Sequence, residues 1–389
     1  MKLPQNLAAK LQTRKQNNAV RQLPSNNNLV DFASNDYIGL SKSKAVFDAT
    51  HRFLTDNKIQ QNGATGSRLL SGNHDLYAIT EQFIAQFHQS ESALIFNSGY
   101  DANVGFFGCV PQKNDFILYD ELCHASIRDG ILMGYAKSYK FKHNEGADLE
   151  RLIALCQEKT NEKNNLSEIY IVTESVFSMD GDTPNLTELV AISKKYNCLL
   201  VIDEAHALGI FSKNGAGLLQ ELNLTNGVFA RIVTFGKGLG CHGAAILGSQ
   251  DLKDYLVNFA RSFIYTTGLS PHSVATILMA YQHLETDSDG IQKLQHNILY
   301  FNQQKNLLSL KPLFVRSKSA IQSAIVPGND KVKTIATQLQ KNGFDVKAIL
   351  APTVPNGQER LRFCLHSYNS EKEISEVLQL LGNFVAYDK

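Results

Sequence analysis

The sequence predicts an α/β protein: a mostly parallel central sheet with helices on both faces, followed by a small α+β domain. Short unbroken apolar runs recur at 93–96, 116–119, 169–172, 198–202 and 232–235, separated by helical segments such as Leu186–Tyr196. That is the pattern of parallel strands buried on both faces. Polar residues follow each run at once: Asn97-Ser98-Gly99-Tyr100, Asp120-Glu121-Leu122-Cys123-His124, Thr173 to Ser178, Asp203-Glu204-Ala205-His206, and Lys237. From about residue 312 the order changes to strand, helix, strand, strand, helix, at 320–326, 332–340, 346–350, 360–365 and 374–385.

Taken in order, residues 1 to about 22 read as a basic helix. Lys2, Lys10, Arg14, Lys15 and Arg21 lie in the first 30 residues without one acid. A transit peptide is the competing reading, but there is no apolar signal core, and Arg14 and Arg21 are spaced to share one helix face. Asn26-Asn27-Asn28 reads as a turn. A short strand at Val30 leads into the loop Ser34-Asn35-Asp36-Tyr37, dense enough in hydrogen-bonding groups to serve as a cap cluster or as the edge of a ligand site. The stretch 63–72 is too rich in glycine for a helix and lacks the lysine of a phosphate-cradling P-loop, so it reads as an irregular loop of close approach. Leu76, Ile79, Phe83 and Phe87 recur at helical spacing. Further on, a helix is expected at 251–260 and one long helical stretch from Ser270 to about Leu310.

Composition excludes several classes. Lys+Arg number 38 against 37 Asp+Glu, a formal net charge of +1 over 389 residues. That balance, without interleaved aromatics in the basic N-terminal segment, argues against nucleic acid as a partner. The six cysteines show no CxxC pair, which suggests neither a metal site nor a disulfide framework. They read as free thiols in a reducing compartment, the cytoplasm. No apolar run is long enough to span a membrane.

Polar side chains recurring at one end of successive parallel strands mark where ligands bind in open α/β sheets. Singly, Asp203 is also a helix cap, His124 a core histidine and Ser178 a turn residue. Together they match what pyridoxal phosphate (PLP) needs. Lys237, between Gly236 and Gly238, would bond the aldehyde. Asp203 would keep the ring nitrogen protonated, and His124 would cover the ring. Gly99 and Tyr100, opening a helix, would offer backbone N–H groups to the phosphate, with Thr234 adding a hydroxyl. Ser178 and His206 would bond the phenolic oxygen.

The motifs Asn35-Asp36-Tyr37-Ile38-Gly39-Leu40, 173–182, Asp203-Glu204-Ala205-His206-Ala207-Leu208-Gly209 and Thr234-Phe235-Gly236-Lys237-Gly238-Leu239-Gly240 resemble those of the α-oxoamine synthases. These are PLP enzymes of the aspartate-aminotransferase fold type (fold type I), and the likeness runs through nearly the whole chain. It implies an acyltransferase that joins an amino acid to an acyl thioester with loss of carbon dioxide, Lys237 acting also as base at Cα. The resemblance further implies that Arg362 grips the amino-acid carboxylate with Asn35 nearby. Arg21 and Thr353 would lie by the acyl chain, and Thr266 and Thr267 would reach the phosphate from a neighbouring subunit of a homodimer. The implied domains are an N-terminal helix and substrate-edge segment (1–45), a large PLP-binding domain (46–285) and a small C-terminal domain (286–389). L-alanine and pimeloyl-CoA, or a pimeloyl-carrier protein, are the expected substrates. Other family members acting on glycine or serine with other acyl chains are the alternative, and a silent partner subunit a remote one. Cys241-His242-Gly243 departs from the family pattern and puts substrate identity, more than reaction type, in question.

Overall fold

The computed structural model describes residues 3–21, 23, 28–161 and 167–386. In chain order the elements are α1 (Gln5–Gln16), β1 (Val30–Asp31), α2 (Lys44–Asp56), α3 (Asp75–Phe87), β2 (Ser92–Phe96), α4 (Gly99–Cys109), β3 (Phe116–Asp120), α5 (Ala125–Met133), β4 (Lys137–Phe141), α6 (Gly146–Asn161), β5 (Ile169–Glu174), α7 (Leu186–Tyr196), β6 (Leu199–Asp203), α8 (Leu218–Glu221), β7 (Ala230–Thr234), β8 (Ala244–Gly248), α9 (Gln250–Phe259), α10 (Arg261–Ile264), α11 (Pro271–Thr286), α12 (Asp289–Leu307), β9 (Ile321–Ile325), α13 (Asn329–Lys341), β10 (Phe344–Asp345), β11 (Lys347–Ile349), β12 (Arg360–Cys364) and α14 (Glu371–Ala386). Two compact units result. One comprises Met1–Ser34, Met179–Asp182 and Lys293–Lys389; the other comprises Asn35–Ser178 and Thr183–Gln292.

The second unit holds a seven-stranded sheet in the order β2-β8-β7-β6-β5-β3-β4. Only β8 is antiparallel to its neighbours, β2 and β7, so β2 through β7 all end at the same edge. Leu94, Ile117, Val172, Val201 and Ile232 from the strands pack with Phe106 and Phe107 of α4 and Ile127 of α5 in one buried cluster. Burial of that apolar surface is the main force holding the helices to the sheet. The expected mostly parallel sheet is therefore present, with two more strands than the apolar runs announce. β4 is a largely exposed edge strand, Lys-Ser-Tyr-Lys-Phe, whose lysines hide it from a search for apolar runs.

Three other expectations are corrected. The first helix ends at Gln16, Asn18 has φ 48°, and Arg21 lies beyond the helix, so Arg14 and Arg21 share no helix face. Asn26 and Asn27 of the expected turn fall outside the described residues. In α3 the buried face is Leu76, Tyr77, Thr80, Glu81, Ile84 and Phe87, while Ile79 is exposed. The polar Glu81 turns inward because it binds Arg68, Lys253 and the Ile95 amide, which displaces the apolar stripe by part of a turn. The stretch from Ser270 divides into α11 and α12 at Asp287-Ser288, where the Asp287 carboxylate accepts the Asp289 amide and starts a new helix.

The loop 63–72 is irregular, as expected. A Cβ on Gly72 would overlap the Gly66 carbonyl, and that same carbonyl accepts the Gly268 amide at 2.9 Å, so the loop closes on itself and takes a second stretch of chain against it.

In the first unit, β11, β12 and β9 form an antiparallel sheet, and β1 pairs in parallel with β10. None of the six cysteines forms a disulfide. No helix among the described residues is long and apolar enough to cross a membrane.

Candidate active site

A cavity of about 270 Å³ opens at the carboxyl edge of the seven-stranded sheet, near the ~300 Å³ lower end of small-molecule sites. Its lining includes Asn35, Ser98, Gly99, Tyr100, Asn103, His124, Ser126, Glu174, Asp203, His206, Thr234, Lys237 and His242. Five of the seven strands deliver their polar termini here: β2 the 98–100 turn, β3 His124, β5 Glu174, β6 Asp203 and His206, and β7 Lys237.

The two glycines beside Lys237 differ in their reason. A Cβ on Gly238 would overlap the Leu208 carbonyl, so that position must be glycine for the two turns to meet. A Cβ on Gly236 would meet only the Cys241 carbonyl oxygen, at 3.6 Å, so that position is open by comparison. Lys237 Nζ lies 2.9 Å from His206 Nε2, and His206 Nδ1 lies 2.6 Å from Tyr37 Oη. Tyr37 in turn donates to Asn35 Oδ1 at 3.1 Å.

Asp203 is 5% exposed and accepts from Asn103 Nδ2 at 2.9 Å and from the Ala205 amide at 2.9 Å. Asn103 also donates to Ser126 Oγ, whose hydroxyl reaches His124 Nδ1 at 2.8 Å. His124 caps α5 by accepting the Ser126 amide on Nδ1, which leaves its proton on Nε2. Loss of water around the ring holds the His124 pKa below its ordinary value despite the pull of Asp203, so the imidazole is neutral near pH 7.

Glu174, fully buried beside Asp203, accepts the His124 amide at 2.6 Å. Burial and the Asp203 charge push its carboxyl up to about 8, against the counter-pull of Lys237.

At the other wall α4 begins with Gly99 and Tyr100, capped by Ser98 Oγ, which accepts the Asp101 amide. Gly99 is pressed against Thr234: a Cβ there would stand 2.5 Å from Thr234 Cγ2. The helix start offers unpaired first-turn N–H groups and the positive end of the dipole to an anion.

Of the residues singled out in the sequence, Asn35, Gly99, Tyr100, His124, Asp203, His206, Thr234 and Lys237 meet in this cavity. Ser178 is half-buried beyond β5, outside the lining. Thr266 and Thr267 lie beyond α10, where Asn97 Nδ2 donates to Thr266 Oγ1 and to the Thr267 carbonyl. In the first unit, Arg21 Nη2 donates to Thr353 Oγ1 at 3.4 Å, and Arg362, on β12, is buried with Nη1 2.9 Å from Cys364 Sγ. Sequence reasoning missed Asn103 and Ser126, and it reached Tyr37 and Glu174 only as members of motifs, without a role for either. For Asn103 the signal was a lone asparagine on the apolar face of α4.

The lining fits PLP on its own chemistry. Asp203 is a buried carboxylate held by neutral donors, with no ion-pair partner among the described residues, and buried charges of that kind call for a cation. A protonated pyridine nitrogen is such a cation. Asn103 Oδ1 is likewise buried without a hydrogen-bond partner. A lysine and a helix N-terminus complete the set for an aldehyde and a phosphate.

The profile of the class I and II aminotransferases matches residues 27–381. The chain belongs to that family. Within it, the α-oxoamine synthase resemblance agrees with the relatives. The 8-amino-7-oxononanoate synthase of Emericella nidulans is 39% identical, over 93% of this chain and 90% of its own. The crystal structure of 8-amino-7-oxononanoate synthase from Francisella tularensis is 30% identical with a TM-score of 0.76, covering 92% of this chain and 98% of that one. A serine palmitoyltransferase from S. paucimobilis with bound PLP aligns at a TM-score of 0.85 over 98% of this chain and 97% of its own; at 24% identity it shares the fold. This class I and II family member is thus a PLP-dependent acyltransferase of fold type I.

Proposed function

We propose that the chain condenses L-alanine with a pimeloyl thioester to give 8-amino-7-oxononanoate, carbon dioxide and the free thiol, a step of biotin biosynthesis. The observation that carries the reading is one cavity in which Lys237, hydrogen-bonded to His206, shares its lining with the buried carboxylate of Asp203. The 39% identity to a synthase of that name supports the choice of substrates. Serine palmitoyltransferases share the fold and select no acyl chain for this protein.

Bound in this cavity, PLP supplies an electron sink for negative charge developing at the amino acid's Cα. Asp203 holds the ring nitrogen and keeps its proton. His124, neutral and tied through Ser126 and Asn103 to Asp203, covers the ring without adding a charge. Gly99 and Tyr100 give backbone N–H groups to the phosphate, and Thr234 packs the helix start in place. Lys237 holds the aldehyde end, and its Nζ is the group that takes the Cα proton. By family resemblance, Ser178 joins His206 at the phenolic oxygen, and Arg362 and Asn35 are assigned to the amino-acid carboxylate, a task suited to a guanidinium fork. Arg21 and Thr353 are assigned to the acyl thioester. The protein is further read as a cytoplasmic homodimer in which Thr266 and Thr267 serve the neighbouring subunit's phosphate.

The test is product formation from L-alanine with pimeloyl-CoA and with a pimeloyl-carrier protein, set against glycine and L-serine with other acyl-CoAs. Release of carbon dioxide and 8-amino-7-oxononanoate from alanine supports the assignment. Turnover confined to another pair would move the protein to another α-oxoamine synthase activity.

A further inference from the structure

Tyr37 stands in the loop before α2, wholly buried, and belongs to none of the roles above. Two of the groups around its hydroxyl make opposite demands. Asn35 Oδ1, at 3.1 Å, can only accept, so the hydroxyl hydrogen goes there. His206 Nδ1, at 2.6 Å, must then supply its own hydrogen to the tyrosine oxygen. That choice places the single proton of a neutral imidazole on Nδ1 and leaves Nε2 as an acceptor, facing Lys237 Nζ at 2.9 Å.

We propose that Tyr37 is a positioning residue: it locks His206 in the Nδ1–H tautomer and so determines which partner of the Lys237 contact is the donor. The consequence is chemical. A lysine amine that donates to Nε2 keeps its lone pair, the electron pair required to bond a carbonyl carbon or to take a proton. Were His206 in the opposite tautomer, its Nε2–H would point at that lone pair and compete for it. Three loops thereby act in series. The 34–37 loop, which bears Asn35 and Tyr37, sets the imidazole after β6, and the imidazole sets the amine after β7. The inference rests on the reading of Lys237 as the lysine that carries PLP, but its first test does not.

That test is nuclear magnetic resonance of the full-length protein labelled with 15N-histidine, the His206 signals being identified by their loss in His206→Asn. The expected result is a neutral ring protonated at Nδ1, shifting toward Nε2–H or a mixture in Tyr37→Phe, which keeps the buried ring and removes the hydroxyl. An Nε2–H ring in the unaltered protein, or an unchanged tautomer in Tyr37→Phe, would overturn the proposal. In the second test Tyr37→Phe still bonds PLP at Lys237, seen by mass spectrometry after borohydride reduction, while kcat falls on the order of 10-fold and KM for the amino acid stays near its original value. A lowered KM with unchanged kcat would count against it. If the unaltered protein bonds no PLP at Lys237, the functional reading fails while the tautomer result stands.

Discussion

Glu174 and Asp203 are register partners on the adjacent parallel strands β5 and β6, two buried carboxylates side by side at one end of the sheet. Like charges so placed cannot both ionise cheaply, and Glu174 is the one pushed up, to about 8 from 4.5. A carboxyl whose pKa is raised on folding stabilises the fold fully below its unfolded value, and that contribution is lost as pH rises through the folded value. The PLP-free protein should therefore lose stability between pH 4.5 and 8. Glu174→Gln, neutral throughout and of the same shape, should flatten this loss. Thermal midpoints of both proteins across that range check it; parallel curves would show that Glu174 does not titrate there.

Lys237→Ala removes both the group that holds the aldehyde and the base at Cα. Turnover should fall by at least about 100-fold, the lower range for loss of a positioned base. PLP should wash out on dialysis, while circular dichroism stays unchanged. Asp203→Asn should separate the two functions, keeping covalent capture of PLP at Lys237 and losing turnover, because an amide does not hold a proton on the ring nitrogen. Full turnover in either variant would displace the proposed roles.

Gly99→Ala would drive a methyl group into Thr234 Cγ2, 2.5 Å away. Such overpacking typically costs ~1–3 kcal/mol, and here it moves the start of α4 that is offered to the phosphate. PLP affinity should fall about 10-fold or more. Thr234→Ser deletes the offending Cγ2 and keeps the hydroxyl, so the double variant Gly99→Ala/Thr234→Ser should recover most of the affinity. PLP titration of the four proteins measures the coupling. Additive losses would mean that the contact is not the cause.

Much of this was legible in the sequence because parallel strands are continuous apolar runs and their ends are marked by polar residues. Asp203, His206 and Lys237 could be found at those ends without knowing how the strands pair. β4 escaped because an exposed edge strand needs no apolar run, and Ile79 was placed inward because the pull of Arg68 and Lys253 on Glu81 leaves no periodic signature. The roles of Asn103 and Tyr37 escaped for a related reason. Their partners, Asp203 at a sequence separation of 100 and His206 at 169, are joined to them only by the folded chain.

Glu204, next to Asp203, faces away from the cavity into a buried network. Arg231 Nε donates to Glu204 Oε2 at 3.0 Å, with Nη2 also on that oxygen and on Gln220 Oε1 and Nη1 on the His88 carbonyl. Glu204 Oε1 accepts the amides of Leu218 and Leu219 at the start of α8. The pair thus clamps the turn 203–206 from below, β6 to β7, while its other residues form the site. Arg231→Met leaves a buried carboxylate without its cation and should destabilise the protein by ~3–5 kcal/mol. Because the same turn carries Asp203 and His206, PLP affinity should fall with it. Replacing both, Arg231→Met with Glu204→Gln, removes the stranded charge and should restore a good part of the stability. The Gln220 and His88 acceptors stay underused, so recovery should be incomplete. Chemical denaturation of the single and double variants, with PLP titration of each, decides the matter: a double variant no more stable than Arg231→Met alone would show that the charge pair is not what holds this turn.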